Sequence, residues 1–170
     1  MIYLFIVLVA AASRFVPHIP NFAPITALAI FSAAYLPKKQ AIAIPLAARF
    51  VSDLFIGFFA WQLMLAVYAS HLLGVFFGLW IKQERGSKWL KVFASSLGAS
   101  LLFFGITNFA FLYAQYPHNF SGIVQAYVAG LPFLKGTVLG DMAYSAALFG
   151  AYALAKNWAQ QKSLIKNPSL

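Results

Sequence analysis

The sequence predicts an all-α integral membrane protein, a compact bundle of six transmembrane helices, on three observations. Of its 170 residues, 62% are hydrophobic and 9% charged, whereas a soluble domain carries about 25% charged residues. The apolar residues gather into six runs separated by prolines or basic clusters. The cations fall in alternate connections between those runs, the pattern that fixes membrane orientation.

At about 20 apolar residues per helical span, a chain of this length holds roughly six spans and no soluble catalytic domain. The spans lie at about 2–16, 22–36, 41–60, 62–81, 89–113 and 131–156, so residues 1–156 form a transmembrane domain and 157–170 a polar cytoplasmic tail, frayed from Gln160 on. The first run, Ile2 to Val9 followed by Ala10, Ala11 and Ala12, also has the look of a signal-peptide core with a small-residue cleavage site, although no Lys or Arg precedes it. Spans one and two are short, which leaves a re-entrant pair open. Pro17, Pro20 and Pro24 separate them, Pro37 with Lys38 and Lys39 ends the second, and the polar stretch from Lys82 to Lys88 ends the fourth. Pro24 and Pro132 are placed at helix starts, where the missing N–H has no intrahelical use. Between spans five and six, Ile123, Val124, Tyr127 and Val128 have helical spacing, predicting a short amphipathic helix on the outer surface. Asn119 or Ser121 would cap it and Gly130 would follow its end. Such a helix either acts as a lid, with the loop from Pro17 to Pro24, or only connects.

With the N-terminus inside, the cytoplasmic connections hold Lys38 and Lys39, then Lys82, Arg85, Lys88 and Lys91, then Lys162 and Lys166, while the opposite loops hold almost no cations. Both termini are therefore expected in the cytoplasm. The net charge of +9 reads as topology and not as a nucleic-acid footprint. The absence of cysteine excludes disulfides, thiolate metal sites and Cys nucleophiles.

An ionisable side chain in mid-span costs about 2.5 to 3.5 kcal/mol on insertion scales, so each one needs a partner, a wet cavity or a role. The candidates are Arg14, Arg49, Asp53, His71 and Asp141. At 1.5 Å per residue, Asp53 lies roughly 18 Å up span three, and Asp141 roughly 15 Å down span six from the outer end. Arg14 and Asn108 fall near outer helix ends, where Thr107, His18 and Asn21 can join them. Polar groups thus collect in the outer half, which predicts a ligand pocket there. Plainer readings stand beside this one. Arg49 and Asp53, spaced i and i+4, can neutralise each other, and Arg14 can snorkel to the headgroups. Asp141 has no partner in its own span, so its compensation must come from another helix, a cation or a ligand. His71, with at most one acid near it, fits a packing histidine better than a metal ligand, and no metal or cofactor is expected.

Aromatics from Phe58, Phe59, Trp61 and Tyr68 through Phe109, Phe111, Tyr113, Tyr116, Phe120 and Tyr127 fall toward the outer surface. They form an interfacial belt, with an inward-facing subset able to stack on a flat ring. Gly74 and Gly78, and Ala143, Ala147, Ala151 and Ala155, mark close helix contacts within the bundle or with a partner.

Six short spans, the segment Arg14-Phe15-Val16-Pro17-His18-Ile19-Pro20-Asn21-Phe22-Ala23-Pro24, the pair Ser52-Asp53 with Gly57, the triplet Thr107-Asn108-Phe109, and Pro132-Phe133 followed by Gly140-Asp141 together resemble a bacterial membrane family related to the substrate-binding S components of energy-coupling-factor (ECF) vitamin transporters. The resemblance covers almost the whole chain. It implies a protein of the bacterial cytoplasmic membrane that binds a vitamin or trace nutrient near its outer face and works with an ECF coupling subunit and two cytosolic ATPases. It also implies that Arg14, Asn21, Asp53, Asn108 and Asp141 line the pocket. One departure bears on partners. The Ala-x-x-x-Ala step that many S components carry in span one is missing, and Ala23 with Ala27 and Ala29 with Ala33 supply that spacing in span two, so the protein can also act alone.

The function expected is therefore small-molecule binding and uptake, with Arg14, Asn21, Asp53, His71, Thr107, Asn108 and Asp141 as ligand-binding candidates. The alternatives are a solitary proton-coupled carrier or channel using Asp53, Asp141 and His71, and a membrane-embedded lipid enzyme using the two aspartates with a cation. No Gly-x-Ser-x-Gly, His-Glu-x-x-His, Walker or kinase signature occurs, so an enzyme is not expected.

Overall fold

A computed structural model describes residues 2–15, 19–82 and 88–166. Every regular element among them is helical: α1 (Ile2–Ala12), α2 (Ile25–Tyr35), α3 (Lys38–Ile56), α4 (Trp61–Lys82), α5 (Lys88–Thr107), a 3-10 turn at Ala110–Leu112, and α6 (Phe120–Lys166). Three of them, α4, α5 and α6, are long and apolar enough to cross a membrane. Helices α1 and α2, at 11 residues each, rise only about 16 Å against a hydrocarbon core of about 30 Å.

Several boundaries differ from the sequence expectation, each for a local reason. Helix α1 stops at Ala12 and turns through Ser13, whose hydroxyl donates to the Ala10 carbonyl, so span one does not run as a helix to 16. The positions of Val16, Pro17 and His18 lie outside the described residues, as do Glu84 and Arg85. Helix α2 starts after Pro24, as its missing N–H predicts, and ends where the Leu36 N–H closes on the Ser32 carbonyl at 2.7 Å. Helix α3 begins earlier than expected, at Lys38 after the extended Pro37. It ends at Gly57, whose φ of +107° is a conformation that L side chains resist. Helix α5 ends at Thr107 although the apolar run continues, because the Tyr113 hydroxyl takes the Thr107 carbonyl at 2.6 Å.

The largest difference is α6. A separate surface helix ending before Gly130 and a span running from 131 were expected, but one helix of 47 residues runs through both. Asn119 does cap it, its side chain accepting from the Gly122 N–H at 3.0 Å. Gly130 is a contact and not a stop signal: a Cβ there would run into the Asn108 side chain. Pro132 deprives only the Val128 carbonyl of its helical partner, a local loss that apolar helices tolerate when the flanking turns hold. Residues 160–166 are helical, and 167–170 lie outside the described residues.

Helix α2 is the centre of the bundle. Nine of its 11 residues are buried, and α3, α4, α5 and α6 all pack on it. On one side Ile25 and Leu28 meet Val7 and Ala10 of α1 and Ile44 and Ala48 of α3. On another, Ile30 and Ala34 meet Ile81, Val92, Ala99 and Phe149. Gly74 and Gly78 let α4 lie against Ala29, Ala33 and the Ile30 carbonyl, so that this small-residue step serves packing inside the bundle. The alanines at 143, 147, 151 and 155 face outward instead.

The polarity is inverted relative to a water-soluble domain. Thirteen of the described polar or charged residues are buried, among them Ser52, Asp53, Ser96, Ser100, Asp141 and Ser145. Large apolar side chains such as Phe5, Phe55, Phe76, Leu90 and Leu154 are more than 60% exposed. The described lysines of the first two basic clusters collect at one end of the bundle, where Lys88 lies over the Tyr35 ring and Lys91 over Trp80.

Candidate functional site

The opposite end of the bundle holds the ionisable groups that lie among the helices. Asp53, one turn before the end of α3, is 1% exposed, and both of its oxygens are taken. Oδ1 accepts from Arg14 Nη1 at 2.7 Å; Oδ2 accepts from Arg49 Nε at 2.8 Å and from the Tyr68 hydroxyl at 3.0 Å. Arg14 also donates to the Ser52 hydroxyl, which in turn donates to the Arg49 carbonyl. The i, i+4 pair therefore forms, yet it is shared. Arg14 turns into the bundle and not outward, and the cluster carries two guanidinium groups for one carboxylate. Arg49 also lies over the Phe59 ring.

Asp141, in mid-α6 and 2% exposed, has no cation on its carboxylate among the described residues. The Ser100 hydroxyl donates to its Oδ2 at 2.6 Å, and the Thr26 hydroxyl hydrogen-bonds the same carboxylate. Thr26 Oγ1 lies 3.3 Å from His71 Nδ1, and the His71 ring rests on Phe103. His71 Nε2 is buried with no hydrogen-bond partner, which is uncommon enough for a buried polar atom to require a reason. Among the described residues no three His, Asp or Glu side chains come close enough to share a metal ion.

Two adjoining hollows connect these groups. The deeper one, about 120 Å³, is bordered by Arg14 and Arg49 and by Thr26, His71, Thr137 and Asp141. The outer one, about 440 Å³, is bordered by Thr107, Asn108, Phe59, Tyr113, Tyr116 and Phe133. Asn21, Arg49 and Phe103 border both. The structure thus brings Arg14, Asn21, His71 and Asp141 to the inner chamber and Thr107 and Asn108 to the outer one, with Asn21 at their junction. Asp53 stands behind the two arginines and holds them in place without bordering either chamber.

The segment 19–23, described after α1, borders the inner chamber through Asn21 and Ala23. Its Pro20 carbonyl and Phe22 backbone lie on Gly136 and Gly140 of α6, which a Cβ at either position would disturb, and Phe22 packs on Tyr144. Asn21 takes a left-handed φ of +62° there, a conformation Asn tolerates better than most residues. Tyr113, outside the helices at the chamber mouth, is a lasting hydroxyl donor, since burial, with Tyr116 beside it, pushes its phenol above the ordinary range.

Sequence reasoning missed Thr26, Ser100, Thr137 and Phe103, and took Tyr68 for part of the belt. The hydroxyl residues left one signal, a Ser or Thr inside an apolar run, but many others such as Ser70 bond only their own helix. Of the aromatics named as candidates for stacking, Phe59, Tyr113 and Tyr116 face the outer chamber.

A family model described as a family of unknown function, DUF6580, matches residues 1–164 of the chain. No curated protein and no solved structure matches it.

Proposed function

The chain belongs to the DUF6580 family, and from its own residues we propose that it is an integral membrane protein that binds a small molecule in the paired chambers and takes part in its uptake. The observation that carries this reading is the pair of connected hollows bordered by Arg14, Arg49, His71 and Asp141 at the end of the bundle away from the lysines. Polar groups inside and apolar side chains outside suit a hydrocarbon solvent, and three helices have the length and apolarity to cross one. The positive-inside bias then puts the lysine-rich end, with both termini, in the bacterial cytoplasm and the chambers toward the outside. The resemblance to ECF S components favours a vitamin or trace nutrient as substrate and an ECF coupling subunit with cytosolic ATPases as partners. The outward-facing alanines of α6 offer such a partner a close approach.

The test is a thermal-stability screen of the purified protein against vitamins and nucleobase-like metabolites. A stabilising compound class whose effect is lost in Asn108→Ala upholds the reading. The absence of any stabilising class, together with undiminished uptake by Asn108→Ala and Asp141→Asn, defeats it. A second reading, a solitary proton-coupled carrier, is favoured by the polar contacts that run from Asp141 through Thr26 to His71. Uptake driven by an imposed pH gradient in ATP-free liposomes favours this one.

A further inference from the structure

The outer chamber is charged with one sign only. Of the described residues that border it, Arg49 alone is charged at neutral pH, and no carboxylate is among them. Arg14 and Arg49 share the single carboxylate of Asp53, so the cluster behind the wall carries one positive charge over. Asp141 makes no ion pair with either arginine and borders the inner chamber alone. The surplus at Arg49 therefore stands whatever the protonation of Asp141. A guanidinium charge among apolar helices is costly until an opposite charge meets it.

The shape of the Arg49 site says which edge is free. Nε donates to Asp53 Oδ2 at 2.8 Å, and the Phe59 ring covers a face of the guanidinium, 5.7 Å from Cζ to the ring centre. Nη1 and Nη2 donate to no described residue, and neither is shut off from the accessible surface. That edge presents parallel N–H groups, the arrangement that holds a carboxylate by two bonds. Three neutral donors of the same wall already spend a hydrogen on backbone carbonyls: Thr107 on Phe103, Asn108 on Phe104 and Tyr113 on Thr107. Arg49 is thus the strongest donor left to a ligand. The rest of the wall is rich in rings, with Phe59, Phe103, Tyr113, Tyr116 and Phe133 around a space of about 440 Å³, a volume within the range of small-molecule sites.

Resting on the binding role proposed above, we infer that the outer chamber takes a small monoanionic ring compound, its carboxylate on the Nη edge of Arg49 and its ring among the aromatic side chains. A single negative charge cancels the surplus, whereas a dianion overshoots it. A cationic ligand would meet Arg49 with no acid beside it. A neutral ring would find the same aromatic wall but leave the guanidinium without a counter-charge.

The experiment is saturation-transfer NMR of the full chain in phosphatidylcholine nanodiscs, with empty nanodiscs as the blank and benzoate, benzamide, benzylammonium and acetate as probes. Benzoate is expected to bind about tenfold or more tightly than benzamide, the worth of a charge-assisted bond. Acetate, without a ring, should bind more weakly than benzoate, and benzylammonium should not bind. Arg49→Gln is expected to abolish the preference for benzoate over benzamide, and Ala129→Trp, which fills the outer chamber, to abolish benzoate binding. Benzamide or benzylammonium binding as tightly as benzoate, acetate matching benzoate, or no binding of any probe overturns the inference. So does an unchanged preference in folded Arg49→Gln or unchanged benzoate binding in folded Ala129→Trp. The order of the probes on the wild type decides even if neither variant folds. A neutral or cationic compound that stabilises the protein in the thermal screen, with its effect lost in Asn108→Ala, would uphold the binding role while this inference fails, so the two failures are distinguishable.

Discussion

Arg14 Nη1 and Asp53 Oδ1 lie 2.7 Å apart although 39 positions separate the two residues in the chain, and this bond ties the turn after α1 to the C-terminal end of α3. Because Arg49 and Tyr68 hold the other carboxylate oxygen, the aspartate organises three elements at once. Asp53→Asn leaves two guanidiniums without a counter-charge and is expected to destabilise the protein by roughly 3 to 5 kcal/mol, the cost of breaking a buried ion pair from one side. Arg14→Gln should cost less, since Asp53 keeps Arg49. Thermal unfolding of both single variants and the double variant measures the coupling, and additivity would show the contact to be idle.

Helix contacts make an opposite pair of predictions for glycine. A Cβ at Gly78 would meet the Ile30 carbonyl and Ala33, whereas a Cβ at Gly105 meets nothing within 4 Å. Gly78→Ala should therefore destabilise by about 1 to 3 kcal/mol through overpacking. Gly105→Ala, in a helix with room for a methyl, should stabilise by roughly 0.5 to 1 kcal/mol. Melting curves of the two variants are expected to shift in opposite directions.

The continuity of α6 through Pro132 is open to a distance measurement. The chain has no cysteine, so Val124→Cys and Leu154→Cys, both exposed, give a doubly spin-labelled protein without background. Thirty residues of unbroken helix separate the labels by about 45 Å along the axis. A markedly shorter distance would mean a bend at Pro132 and restore the two-helix arrangement.

How far the sequence revealed this arrangement depends on the kind of signal each residue left. Six helices, Pro24 at the start of α2 and the gathering of Arg14, Asp53 and Asp141 away from the lysine-rich end were legible, because apolar length and charge within an apolar run are properties of single segments. Gly130 and Pro132 misled, since a glycine that admits the Asn108 side chain looks the same as one that ends a helix. The short lengths of α1 and α2 were visible, but the burial of nearly all of α2 was not. Its run of Ala, Ile and Leu carries no periodicity to say how many neighbours surround it. Thr26 and Ser100 were hidden for a related reason: their role comes from Asp141, which meets them only through packing.

In the outer chamber, Asn108 lies at the wall with its amide nitrogen on the Phe104 carbonyl at 3.0 Å and its oxygen side against Gly130. Asn108→Ala and Arg49→Gln are expected to weaken ligand affinity about tenfold or more, the loss of about 1.5 kcal/mol per hydrogen bond. Titration of any compound found to stabilise the protein checks this, and unchanged affinity in both variants would remove the outer chamber from the binding path.

Native mass spectrometry of the protein released from mild detergent tests the binding role most directly, using the wild type and Ala129→Trp, which places an indole where Ala129 borders the outer chamber. A small, non-lipid molecule bound to the wild type and absent from an equally folded Ala129→Trp is the predicted result. The same bound species on both proteins, or none on either after exposure to a metabolite extract, would contradict it.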